Sequence, residues 1–227
     1  MTLVPPAEIA ADRTGRGILV AVVDSGISFG HPHLRIVGRG FSVEREEGDI
    51  VIKPGAHADR FGHGTCCAAL VHLLAPDAEL LAIRVTSDRP TTDGERLARG
   101  LELAIDEGAR IILAPNGTKT VLPDLGWAIA RAAKSGAIVV APLPEPGVLP
   151  GAHPAALGVL LLDGVDVAHV PAGVGADGHA RPTEGLVRNF YGPSLSAARV
   201  AAALARHAES IGGQIDVEGF KSILPVR

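Results

Sequence analysis

ILVAVVDSGI, residues 18–27, is an unbroken apolar run of β-branched character that stops at an acid followed by Ser-Gly. Continuous apolar runs of this length are what strands look like when both faces of their sheet are covered. The spacing therefore predicts a buried strand over 18–24 with Asp24 at its carboxyl end. Downstream, the same type of run returns at 79–85, 110–114, 137–141 and 156–162. Helix-like stretches separate these runs. FGHGTCCAA (61–69) opens a helix over 63–74. Leu97, Leu101 and Ala104 fall three or four apart in a helix over 92–107, which Gly108 ends. A helix over 122–134 closes at Gly136. YGPSLSAARVAAALA (191–205) begins a long helix over 194–211, stopped by Gly212-Gly213, with a short helix predicted over 217–224. Alternation of this kind implies an α/β fold in three layers, a mostly parallel central sheet with helices on both faces. Ligand sites in such sheets lie at the carboxyl ends of the strands.

Composition agrees with that architecture. The chain has 227 residues, enough for one domain with a substantial core. It is 47% hydrophobic but only 3% aromatic, so Ala, Val, Leu and Ile must fill the interior. No internal repeat and no linker divides it, and the Pro/Gly-rich stretch 142–154 reads as a loop at the rim of the sheet. A single domain over 1–227 is expected, with its core at about 15–211. The net charge of −4 includes no basic block, which argues against nucleic acid as a partner. No apolar run is long enough to cross a membrane, and no secretory signal is visible at the start. Cys66 and Cys67 are adjacent and cannot bridge each other without severe strain. Two reduced thiols in a cytoplasmic protein are expected. Oligomeric state is left open.

Asp24, His63 and Ser194 carry the candidate chemistry. Each alone has a plain structural explanation: a turn acid bonding backbone N–H groups, a helix start, an N-cap. Taken together, an acid ending a strand, a His opening one helix and a Ser opening another can meet at one edge of the sheet. The order Asp, His, Ser is one of the three on which the charge-relay geometry is built. A nucleotide site is not indicated, because no G-x-G-x-x-G follows the first strand and no Walker Lys is present.

On these segments the chain resembles the subtilisin-like serine proteases of the subtilase family. AVVDSGI resembles the family's Asp box, GHGTCCA its His box and GPSLSAARVAAALA its Ser box and following helix. HPAALGVLLLDG and DVAHVPAG resemble segments lying between the last two boxes. The resemblance implies nucleophilic acyl transfer. Ser194 attacks a peptide carbonyl, His63 takes and returns the proton, and Asp24 orients the imidazole and stabilises its charged form. A peptide or protein substrate is implied, with no cofactor, no metal, no membrane and no nucleic acid. Without a recognisable pro-region, maturation of a dedicated peptide or precursor is the expected role. The alternative is a pseudoprotease that binds peptides or partners.

Two departures from the family bear on the chemistry. Counting from Gly136, the family's oxyanion Asn falls on Glu145 and the Gly before it on Pro144. Loss of that donor costs about 10²–10³ in turnover, a magnitude known from a subtilisin itself. The residue before the nucleophile is Pro193 in place of Thr, which leaves the Ser194 backbone N–H as the remaining oxyanion donor. Either Glu145 is held protonated in a dry site and donates a hydrogen bond, or another group such as Asn116 points at the oxyanion. The substrate-flanking segments that the resemblance implies are Leu113, Ala114, Pro115, Asn116 and Gly117 on one side and Ala141, Pro142 and Leu143 on the other. Their prolines cannot donate ladder hydrogen bonds. His31 and His33 read as a surface turn, since two His fall short of a ligand set.

Overall fold

The computed structural model describes residues 9–31, 34, 38–86, 92–120, 122–159, 192–213 and 220. Seven strands form one sheet in the order β3-β2-β4-β1-β5-β6-β7. These are β1 Leu19–Asp24, β2 Arg39–Glu46, β3 Asp49–Pro54, β4 Glu79–Arg84, β5 Ile111–Leu113, β6 Ile138–Pro142 and β7 Leu157–Val159. Every neighbouring pair is parallel except β2 and β3, which are antiparallel. The helices are α1 His63–Leu74, α2 Gly94–Asp106, α3 Pro123–Lys134 and α4 Pro193–Ser210.

The alternation of β1 sorts the core into two layers. Val20 and Val22 face a cluster built with α1 and α4, including Leu70, Val71, Val200 and Leu204. Ala21 and Val23 face the opposite cluster, with Leu97 and Leu101 of α2 and Leu125 and Ile129 of α3. Small residues let the helices approach closely. Gly100 of α2 lies over Val23 and Val85 with no room for a Cβ, which would stand 2.6 Å from Val85. The end of α4 is tied back to the start of the sheet. One carboxylate oxygen of Glu209 accepts the N–H groups of Thr14, Gly15 and Arg16 at 2.8, 2.7 and 3.1 Å.

The β2–β3 hairpin was not expected from the sequence. Its signal is nevertheless there. Phe41, Ser42, Val43 and Glu44 alternate, and Asp49–Pro54 pairs back through a two-residue turn. In that turn Glu47 and Gly48 have φ of 51° and 101°, the type I′ signature usually carried by Asn-Gly or Asp-Gly. A charged Glu in the first turn position hides it. Expected boundaries elsewhere differ by a residue or two. Residues 160–162 of the expected last strand, the segment 166–173 and most of the helix over 217–224 lie outside the described residues.

α1 crosses the turn after β1 so tightly that Gly64 sits under the Gly26 carbonyl, where an added Cβ would be 2.2 Å from that oxygen. Helix propensity alone makes Gly→Ala stabilising by about 1 kcal/mol. The contact is with backbone, which cannot swing aside, and overpacking of this kind costs about 1–3 kcal/mol or more. Gly64→Ala is therefore expected to lower the midpoint of urea unfolding. A raised midpoint would show that the turn and α1 are not held this close.

Candidate active site

Asp24 is the last residue of β1 and is buried. Its Oδ1 accepts the Ser25 N–H at 2.7 Å and the Asn116 Nδ2–H at 3.1 Å. Its Oδ2 lies 2.5 Å from His63 Nδ1. These contacts from Ser25 and Asn116 fix the orientation of the carboxylate toward the imidazole. His63 is the first residue of α1, and the elements that place it are polar. Asp59 accepts the N–H groups of Phe61, Gly62 and Thr65 at 2.9, 2.6 and 2.8 Å. It thereby caps a helix whose N-cap residue, Gly62, offers no side chain. The Ser25 hydroxyl accepts the Gly64 N–H at 2.9 Å.

Burial favours the neutral form of the His63 ring. The Asp24 carboxylate, through its charge and its hydrogen bond, outweighs that effect with help from Asp59, and holds the His63 pKa above its ordinary value. The two thiols behind it are inert. Burial first, with the charges of Asp24 and Asp59 adding, pushes Cys66 up to about 12 and Cys67 well above the ordinary range. Cys67, Asp24 and His63 bring ligand-type atoms within 4.8 Å of one another. A cation there would occupy the same imidazole and carboxylate that orient each other, and it would need a thiol that resists ionising.

Ser194 is the second residue of α4, after Gly192 and Pro193. In that position its backbone N–H is among those a helix leaves without an intrahelical acceptor. The Ser194 hydroxyl donates to the Pro115 carbonyl at 3.0 Å. Pro115 and Asn116 therefore join the two halves of the site, one holding Ser194 and the other Asp24. A cleft of about 300 Å³ opens beside Ser194, with Pro115, Gly117, Lys119, Pro142, Glu145 and Pro193 in its wall.

Four expectations need correction, the last being the surface turn at His31. Asn116 turns its side-chain amide toward Asp24 and is not among the residues lining the cleft beside Ser194. Glu145 does not sit in a dry site: it is 54% exposed and its Oε1 lies 2.9 Å from Lys119 Nζ. Among the expected substrate-flanking residues, Leu113, Ala114 and Ala141 are buried beneath the cleft. The Ala114 N–H is committed to the Val140 carbonyl, and that of Leu143 to Val159. Pro115, Gly117 and Pro142 do line the cleft. His31 is buried, and His33 lies outside the described residues. Sequence reasoning missed Asp59, Ser25 and Lys119. An Asp four residues before a helix-opening His was a readable capping signal, but nothing local marked Lys119.

The chain belongs to the subtilase family, whose profile matches residues 15–142. That span includes Asp24 and His63 and stops short of Glu145 and Ser194. An intracellular serine protease of Paenibacillus polymyxa is 31% identical over 137 residues, 56% of this chain and 41% of that protein. Thermitase of Thermoactinomyces vulgaris is 30% identical over 139 residues, 56% of this chain and 47% of that protein. The matches thus span about half the length of these relatives or less. A cold-adapted subtilisin-like serine proteinase of known structure superposes with a TM-score of 0.67 at 16% identity. The superposition covers 89% of this chain and 79% of that one, a likeness of fold. Among the described residues, no helix is long and apolar enough to cross a membrane.

Proposed function

We propose that this chain is a serine peptidase that hydrolyses peptide bonds through an acyl-enzyme on Ser194. The observation that carries this reading is the continuous set of contacts from His63 through Asp24 and Asn116 to Pro115 and Ser194. Asp24 holds the Nδ1–H tautomer of His63, which leaves Nε2 to act as the base. The Ser194 hydroxyl leaves Pro115 and gives its proton to the imidazole as its oxygen attacks the carbonyl carbon. The tetrahedral oxyanion is met by the Ser194 N–H and the positive end of α4. His63 then protonates the leaving amine, and water repeats the sequence on the ester. Glu145 offers no donor, since a carboxylate only accepts, and Lys119 partly offsets its charge.

The substrate is a peptide or protein, and the role is narrow processing of a particular precursor. Pro115 and Pro142 in the cleft wall have no N–H with which to pair an extended chain. Recognition must therefore lean on side chains, which favours few substrates over many. Two buried free thiols suit a reducing compartment such as the cytoplasm.

Treatment with a fluorophosphonate probe tests this reading. The parent protein is expected to label at Ser194, and Ser194→Ala to stop the labelling. Glu145→Asn, which restores an amide, should label about tenfold faster or more, a fraction of what one oxyanion donor contributes. The second reading, a binding module on a peptidase fold, is favoured by Glu145 at the oxyanion position. An unlabelled parent and an unlabelled Glu145→Asn variant would establish it.

A further inference from the structure

A second pocket lies on the same edge of the sheet, on the other side of Asp24. It measures about 280 Å³ and is walled by Glu44, Arg45, Arg60, Arg84, Thr86, Asp93 and Arg96, with Val43 beneath. β2 runs on past the end of β4 here, so the pocket stands over the carboxyl ends of β2 and β4. It is attached directly to the Asp24–Ser25 turn. The Val85 and Thr86 N–H groups donate to the Asp24 carbonyl at 2.7 and 3.3 Å, and the Arg60 N–H to the Ser25 carbonyl at 3.4 Å.

Four guanidinium groups face two carboxylates in this wall, and the internal pairing is specific. Arg84 Nη2 donates to Glu44 Oε1 at 2.6 Å, and Arg96 Nε to Asp93 Oδ2 at 2.8 Å. Arg45 Nη2 lies 2.5 Å from Glu95 Oε2, just outside the wall. Arg60 is exposed and has no carboxylate partner among the described residues. Thr86 is 3% exposed, yet its Oγ1 has no hydrogen-bond partner among them. A buried hydroxyl without a partner is costly, and it lines the same pocket as Arg60.

We infer that this pocket binds an acidic side chain of the peptide substrate, with Arg60 supplying the charge and the Thr86 hydroxyl a second donor. The inference rests on the peptidase reading for its view of the ligand as substrate. One uncompensated guanidinium matches the single charge of an Asp or Glu carboxylate better than a phosphate dianion. The position of the acid follows from the sheet. The pocket stands over β2 and β4, and the cleft beside Ser194 over β5 and β6, with β1 between. Three strand spacings of about 4.8 Å separate them, a span that about four residues of extended chain cover. The acidic residue therefore stands about four positions from the side chain in the Ser194 cleft. Together the two pockets replace with side-chain contacts the backbone pairing that the cleft prolines forgo.

The test uses the full chain carrying Ser194→Ala, so that peptides bind without being cut. Fluorescein-labelled dodecapeptides, neutral except for one Glu walked along the sequence, are titrated by anisotropy. One register is expected to bind about tenfold tighter than its Gln counterpart, the low end for a hydrogen bond between charged groups. Adding Arg60→Gln should erase that difference, and adding Arg60→Glu should transfer the preference to Lys at the same register. The proposal is overturned if all registers bind alike, if no peptide binds, or if the Glu preference survives Arg60→Gln. Fluorophosphonate labelling of the parent reads the peptidase function separately. Labelling without a Glu preference removes the pocket alone, whereas a Glu preference without labelling keeps the pocket and removes hydrolysis.

Discussion

His63→Ala is expected to abolish turnover of a fluorogenic peptide, with a loss of about 10⁶-fold, the size known for the same change in a subtilisin. The effect is large because the imidazole is the base that the peptidase reading assigns to Ser194. Among the described residues, the other titratable groups in the cleft, Glu145 and Lys119, are paired with each other. The Ser194 hydroxyl already has a hydrogen-bond partner, the Pro115 carbonyl, but a carbonyl cannot take a proton to any useful extent at neutral pH. The thiols of Cys66 and Cys67, with pKa values pushed up by burial, cannot substitute either. What remains after the change, on the peptidase reading, is substrate binding and the Ser194 backbone N–H. Residual activity within tenfold of the parent would remove His63 from the reaction. A circular-dichroism melt of the variant guards against mistaking unfolding for loss of chemistry, since Asp24 keeps Ser25 and Asn116 as partners.

Asp24→Asn is expected to cost about 10⁴-fold and to move the pH profile. In the parent, the rate should rise with pH through a His63 pKa above the ordinary 6.5, because the neutral ring is the base. Asn presents either a weaker acceptor or an N–H to Nδ1, which favours the wrong tautomer and withdraws the charge that raised the pKa. The acid limb should therefore move to lower pH as the plateau falls. Stability carries the opposite sign. A folded-state His pKa above its unfolded value stabilises the fold below the unfolded pKa, and that gain disappears as pH rises through the folded pKa. Denaturation of the parent should accordingly show a His63 contribution at pH 5 that is gone by pH 9, and Asp24→Asn should lack it. An unmoved acid limb in Asp24→Asn would mean that another group sets the profile.

The elements read most faithfully from the sequence are those whose signals are local. The apolar run ending at Asp24 and the helix opening at His63 needed only neighbouring residues to be recognised. The β2–β3 hairpin was hidden because its turn uses Glu47, where side-chain chemistry gives no hint of a positive φ. At the site, the meeting of Asp24 and His63 followed from strand order. The fate of Asn116 did not, because its partner Asp24 is 92 residues away and either of two amide roles was open. Counting from Gly136 expects Glu145 where the family has its Asn, but the exposure of Glu145 depends on where loop 142–154 lies relative to Lys119. Arg60 and Thr86 looked unremarkable in sequence, since a pocket is made by residues that share an edge of a sheet and not a stretch of chain.

α4 has a consequence for the order in which the molecule comes into being. Val200, Leu204 and their neighbours cover one face of the sheet together with α1, and Glu209 fastens the opposite end of that helix to Thr14–Arg16. Ser194 opens the same helix. During synthesis, β1 through β7 and the helices between them leave the ribosome first, with that face covered only in part, by α1. The helix that completes that face also carries Ser194. On the peptidase reading, a growing chain therefore cannot cut its neighbours or itself through this site before α4 has closed its core.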